Sequence, residues 1–443
     1  VEASADTIVA ELAFERGDCR AASGQYARAA AAPQAPDATV KRALEVAFEC
    51  QQFAAAEKLA SLWRKRAPGS ADAARMEGLV ALRLGRNSVA SAAFRDTVRL
   101  TGDEPGEALA GLAQAASTSG NDFGTYMALR SAVDTKALDS PALVLLGNLA
   151  LDSYVFRDAR SFAESAIARD PRSAAAQQLL AQVLAGSDDA AGAIAAANAA
   201  RRLDPKGQVF TLAETLVQLD RIEEARIELE RLLQDDDAGP QAERRLALLA
   251  YREGDVQEAA GRFSQRLRTG DDPAEALFYL GALAERHGNE QAALDMYSRL
   301  VQAGAGLMAR RRAAAVLMKQ GRRAEAFAML DAEEAGKPGV AVDIVLAKAA
   351  LLLENGAPAD ALPLLDAALE RFPAHPGLEY QRALTLESAG RVQDSIAAFD
   401  ALYRKRPEDP GLMNALGYTL ADHSRNLSRA SRLIDSALER TPD

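Results

Sequence analysis

The sequence predicts an all-α fold, an open right-handed superhelical solenoid of about thirteen stacked helical hairpins. Three observations predict it. A small residue recurs with a period near 34 along the whole chain. A glycine or polar residue falls five before it, and in most units a larger apolar group falls four after it. The apolar content, 49%, is dominated by alanine and leucine, with aromatics at only 5%. Alanine and leucine favour helices and close helix packing, whereas β-rich folds draw on branched and aromatic residues.

The length, 443 residues, exceeds what one conventional core fills. A repeat array escapes that limit because each unit buries itself only against its neighbours. The formal charge is −11, from 52 Lys and Arg against 63 Asp and Glu. A net acidic surface is unsuited to the phosphate backbone, so nucleic acid is excluded as the expected partner. No stretch is long and apolar enough to read as a membrane-spanning helix.

Each unit follows from the same register. The small residue opening the second helix is Ala22, Ala56 and Ala90, then Ala159, Ala193, Ala225, Ala259, Ala293, Ala326, Ala361, Ser395 and Ala430. Neighbours lie 32 to 35 residues apart, save the 69 between Ala90 and Ala159, which holds a degenerate unit with Thr125 at this position. Thirteen before several of these, leucine is followed by a small residue, as in Leu180-Ala181, Leu246-Ala247 and Leu280-Gly281, with Leu416-Gly417 fourteen before in the last unit, whose turn has one extra residue. Glycines five before (Gly17, Gly85, Gly120, Gly254, Gly288, Gly321, Gly356, Gly390) suit the turn, because glycine takes positive φ without a steric penalty. The group four after, such as Tyr26, Phe94, Phe263, Tyr297 and Phe399, completes a buried i, i+4 face. Prolines twelve after (Pro68, Pro171, Pro205, Pro373, Pro407, Pro442) stop the second helix. A unit of this length and pattern resembles the tetratricopeptide repeat.

The array reads as units 1–4 over residues 3–136, units 5–7 over 137–237, and units 8–13 over 238–443. Loops at residues 32–36, 235–240 and 336–339 mark junctions between units.

Chemistry-bearing motifs are missing from the sequence. It holds no phosphate-binding glycine loop, no nucleophile elbow and no H-E-x-x-H. The three histidines, His287, His375 and His423, are far apart and none has a neighbour at metal-ligand spacing. The expectation is therefore no catalysis, no cofactor and no metal. Cys19 begins the second helix of unit 1 and Cys50 ends the first helix of unit 2, so antiparallel packing can bring them together. They read either as a disulfide, in an oxidising compartment, or as two separate thiols filling small gaps.

In such arrays the first helices line the concave wall. Taking their fifth residue as groove-facing gives Phe210, Arg244, Phe278, Arg311, Leu346, Tyr380 and Asn414, with Tyr251 and Tyr418 at other groove positions. Alternating aromatic and arginine side chains are enriched in binding hot spots. The N-terminal rungs Thr7, Lys41, Arg75, Ala110, Val144 and Gln178 are plainer. Arg310, Arg311 and Arg312 with Lys319, Arg322 and Arg323 form one basic hairpin, suited to an acidic segment or a C-terminal carboxylate. The lysine-then-asparagine clamp of chaperone-binding tetratricopeptide domains occurs in no first helix.

Two stretches carry a narrower resemblance. The block Leu412-Met413-Asn414-Ala415-Leu416-Gly417-Tyr418-Thr419-Leu420-Ala421-Asp422 resembles one found in bacterial outer-membrane tetratricopeptide lipoproteins, as does the start, Ala10 to Gly17 leading to Tyr26. The nearest group is the lipoprotein adaptor of a periplasmic carboxyl-terminal processing protease. The resemblance implies a non-catalytic adaptor that tethers the protease, promotes its activity and presents substrates such as cell-wall hydrolases. It implies a periplasmic, outer-membrane-anchored protein whose lipidated cysteine lies upstream of Val1, and further repeats after Asp443. The alternative function is a structural scaffold of an envelope assembly, for secretion, pili or polysaccharide export.

Overall fold

The computed structural model describes residues 5–187, 189–333 and 340–440. Twenty-six α-helices and no strands occur among the described residues, succeeding one another in thirteen pairs. The junction at residues 336–339 and the closing Pro442 lie outside them.

Contacts divide the chain into two compact units, Val1–Val155 with Glu334–Asp443, and Phe156–Glu333. The first unit opens with α1 (Ala5–Glu15), α2 (Cys19–Ala31), α3 (Asp37–Glu49), α4 (Phe53–Arg66), α5 (Ala71–Arg83) and α6 (Asn87–Thr101). It continues with α7 (Pro105–Ala116), α8 (Asp122–Ala132) and α9 (Ser140–Asp152). The second unit holds α10 (Phe156–Arg169), α11 (Ala174–Ala185), α12 (Ala190–Leu203), α13 (Thr211–Gln218), α14 (Ile222–Leu232) and α15 (Gly239–Glu253). Its later helices are α16 (Val256–Thr269), α17 (Pro273–Arg286), α18 (Glu290–Gln302), α19 (Gly306–Lys319) and α20 (Arg323–Asp331). The first unit closes with α21 (Ala341–Glu354), α22 (Pro358–Arg371), α23 (Pro376–Ser388), α24 (Val392–Lys405), α25 (Pro410–Asp422) and α26 (Leu427–Arg440).

The repeated small residue is buried in all thirteen second helices. Where it is not alanine its hydroxyl has a partner, as a buried polar group requires. Ser395 donates to the Ala383 carbonyl at 2.8 Å, and Thr125 Oγ1 lies 2.9 Å from Ser119 Oγ. The groups four residues on, Tyr26, Phe94, Leu229, Phe263, Tyr297, Leu330, Leu365 and Phe399, are at most 2% exposed. Burying a side chain of this size stabilises by roughly 1.5–3 kcal/mol, so this double ladder is the main source of cohesion between the helices of a pair.

All eight turn glycines named above have positive φ, from 66° at Gly85 to 81° at Gly254. Gln51, Tyr154 and Asp220 stand at the same turn position and are held left-handed too, at 55°, 59° and 58°. The turn geometry is thus imposed by the packing of each pair, and glycine is only its least strained occupant. Some second helices start behind a capping side chain, as where Asp255 accepts from Glu258 N–H at 2.9 Å and Asn289 from Ala292 N–H at 3.1 Å, whereas α4, α6, α14, α20, α22 and α24 have no side-chain cap.

Within the first unit, the early and late helices also touch. The Phe53 ring lies 5.3 Å from His375, and Gln52 Nε2 donates to the Arg371 carbonyl at 3.2 Å. The Arg406 side chain lies against Gly85, where a Cβ would come within 2.5 Å of its Cδ.

Candidate functional site

The proposed rungs fall at the fifth or sixth residue of their first helices, with one correction. Phe210 is not inside a helix but caps the start of α13, because the chain turns through Asp204–Val209 and leaves that helix only 8 residues long. Its ring packs beneath the Arg245 guanidinium, 3.8 Å from the ring centroid.

The rungs divide into two groups by burial. Arg311, Asn414 and Tyr418 are exposed, Tyr418 by 62%. Asn414 and Tyr418 are one helical turn apart on α25 and so share a face. The remaining rungs are half-buried. Phe278 packs edge-on to Tyr279 at 5.2 Å and tilts toward Tyr297 at 6.3 Å. Tyr251 meets Tyr279 at 4.9 Å, and Tyr380 meets Phe399 at 5.5 Å. Burial raises the Tyr380 phenol above its usual range. Leu346 stands near Gly377 of α23. Arg244 forks onto Glu275, with Nε and Nη2 at 2.8 and 2.6 Å from its oxygens, and this bond raises the guanidinium pKa. Phe210, Arg244, Tyr251 and Leu346 reach the next hairpin, Phe278 and Tyr380 lean onto the second helix of their own, and each of the six presents only part of its surface outward.

The shortened α13 leaves a recess of about 330 Å³ beside α15. Leu229, Leu248 and Leu249 line its floor, and Arg244, Arg245 and Arg252 stand among its walls. The three cations already have carboxylate partners, Glu275, Glu214 and Asp220.

The basic hairpin is largely neutralised, contrary to the expectation of a free cationic patch. Arg310 pairs with Glu333 at 2.9 Å, and Arg322 with Glu325 at 2.6 Å. Arg312 and Lys319 converge on Glu285 at 2.9 and 2.8 Å. Burial pushes the Glu285 carboxyl up, but Lys319 and Arg312 outweigh it and hold the group below the usual carboxylate range. Arg323 lies over the Phe327 ring. Arg311 alone of the six has no such engagement among the described residues.

Cys19, the first residue of α2, and Cys50, which caps α3, are joined in a disulfide with Cα atoms 5.3 Å apart. Beside it, Glu11 of α1 binds the Tyr26 hydroxyl and the Arg42 guanidinium, the latter at 2.7 Å, so α1, α2 and α3 share one polar tie. The Arg42 hydrogen bond is the largest influence on Glu11 and lowers its pKa.

Residues 144–207, 210–272, 244–307, 346–410 and 380–443 match the sequence model described as Tetratricopeptide repeat. A TPR repeat-containing protein of Pseudomonas aeruginosa is 31% identical over 168 residues. That match covers 38% of this chain and 28% of the relative's own length. Among solved structures, yeast Tom70 aligns over 98% of both chains at 13% identity, with a TM-score of 0.44. The human IFIT1 dimer with m7Gppp-AAAA aligns over 84% of this chain and 91% of that one, at 14% identity and a TM-score of 0.38.

Proposed function

The chain belongs to the tetratricopeptide repeat family, a fold of protein-binding scaffolds, and from that premise we propose that it is a non-catalytic adaptor for a periplasmic carboxyl-terminal processing protease. In this reading it tethers the protease, promotes its activity and presents protein substrates such as cell-wall hydrolases. The observation that carries the proposal is the exposed pair Asn414 and Tyr418 on α25. An aromatic ring 62% exposed and one turn from an exposed amide is a ready anchor for a partner chain. The same two residues lie in the block that resembles the outer-membrane lipoproteins. The Cys19–Cys50 disulfide supports a periplasmic setting, because such bonds persist in oxidising compartments. An anchor through lipid upstream of Val1 is part of the same proposal.

A pull-down from cell envelopes with this chain as bait tests it. Recovery of a carboxyl-terminal processing protease together with cell-wall hydrolases is the expected result. Recovery of the components of a secretion, pilus or polysaccharide-export machine without the protease would replace the adaptor with the structural scaffold.

A further inference from the structure

We infer that Glu387, Asp422 and His423 form a binding site for a divalent transition-metal ion, with zinc the ion whose ligand preferences fit. The three residues are not clustered in sequence, since Glu387 lies in the last turn of α23, whereas Asp422 ends α25 and His423 caps it, one repeat later. Stacking of successive first helices brings their C-terminal ends together. His423 Nε2 lies 3.1 Å from Glu387 Oε1 and 3.7 Å from Asp422 Oδ2. One ligand atom from each residue lies within 4.8 Å of the other two.

Those separations have a chemical meaning. Zinc binds imidazole nitrogen and carboxylate oxygen at roughly 2.0–2.2 Å in tetrahedral geometry, which sets ligand atoms about 3.3–3.5 Å apart. The two distances from the imidazole bracket that value. One nitrogen and two carboxylates also make a donor set that zinc accepts, and the remaining position is left to water.

The surroundings favour a cation. Both α23 and α25 end at the site, and helix C-termini carry partial negative charge from unpaired carbonyls. The Thr419 hydroxyl shares its one proton between the Ala415 carbonyl at 2.9 Å and Glu387 Oε2 at 3.2 Å, and Glu387 Oε1 faces the imidazole. The side chains of Glu387 and His423 are 20% and 30% exposed, so they are held by their neighbours yet open to solvent. His287 provides the internal comparison. It occupies the matching cap position at the end of α17 but is exposed and belongs to no such cluster among the described residues.

A bound ion would clamp the last two hairpins together. Titration of the untagged chain with zinc chloride alone, followed by isothermal calorimetry, tests this. The inference predicts saturable binding of one zinc per chain and an upward shift in melting temperature. His423→Ala and Glu387→Gln, each still helical by circular dichroism, should weaken binding at least tenfold. His287→Ala should bind as the parent does. Absence of saturable binding would overturn the inference. So would binding that survives both variants unchanged, because the zinc would then sit on other surface carboxylates.

Discussion

Gly78 on α5 is the seat of the Phe94 ring on α6: a Cβ at residue 78 would stand 2.3 Å from ring carbon Cε1. Gly281 and Tyr297 repeat the relationship in the second unit, at 2.7 Å. Both rings are fully buried and have nowhere to withdraw. Gly78→Ala should therefore destabilise the protein by about 1–3 kcal/mol, the cost of overpacking a filled core. Gly261→Ala, in the interior of α16 with no heavy atom near its added methyl, should instead stabilise by roughly 0.5–1 kcal/mol. Chemical denaturation followed by helicity measures both. Equal effects of the two substitutions would mean that the rings do not occupy the glycine positions.

The disulfide closes a loop of 31 residues between Cys19 and Cys50. Closing a loop of this size stabilises by roughly 3–4 kcal/mol in the chain-entropy account. Mass mapping of unreduced, periplasmically expressed protein should show the two cysteines joined. Reduction should then loosen the α1–α4 hairpins first, read by hydrogen exchange. Free alkylation of both thiols without reductant would show that they serve as packing groups only.

The contact between Phe53 and His375 gives the first unit a pH dependence. Burial, with the Arg83 guanidinium adding to it, lowers the His375 imidazole from 6.5 to about 4. Between those values the unfolded chain holds the extra proton and the folded chain does not. The contribution of neutral His375 is thus complete above about pH 6.5 and is lost as pH falls toward 4, on the order of 3 kcal/mol in all. His375→Asn keeps a side-chain acceptor for the Leu378 N–H and removes the titration. Denaturation midpoints at pH 7 and pH 4.5 should fall less in the variant than in the parent. Identical falls would show that His375 does not titrate in this environment.

The register was legible in the sequence because it repeats. A small residue near every thirty-fourth position meets the same neighbour thirteen times, and the buried ladder from Ala22 to Ala430 follows from that alone. The occupants of the candidate groove were less legible. Phe278 and Tyr380 are half-buried because their rings lean onto Tyr297 and Phe399 on the second helix of the same hairpin. The basic hairpin is paired partly by its own Glu325 and Glu333 and partly by Glu285 of the hairpin before it, 34 residues earlier than Lys319. A search for acid–base pairs 31 to 34 residues apart would have found that pair along with Arg244–Glu275 and Arg226–Glu258. The meeting of Phe53 with His375 has no periodic signature, since it joins hairpins far apart in the chain.

We propose that exposed rungs of this tetratricopeptide array hold a processing protease, and one affinity tests this most directly. Purified carboxyl-terminal processing protease should bind the immobilised chain saturably. Arg311→Ala, Asn414→Ala and Tyr418→Ala together should weaken that binding at least tenfold, since one hot-spot side chain alone is worth roughly 2 kcal/mol or more. All three side chains are exposed, so helicity and melting should stay as in the parent. An unchanged affinity in the triple variant, or no binding by the parent chain, would contradict the account.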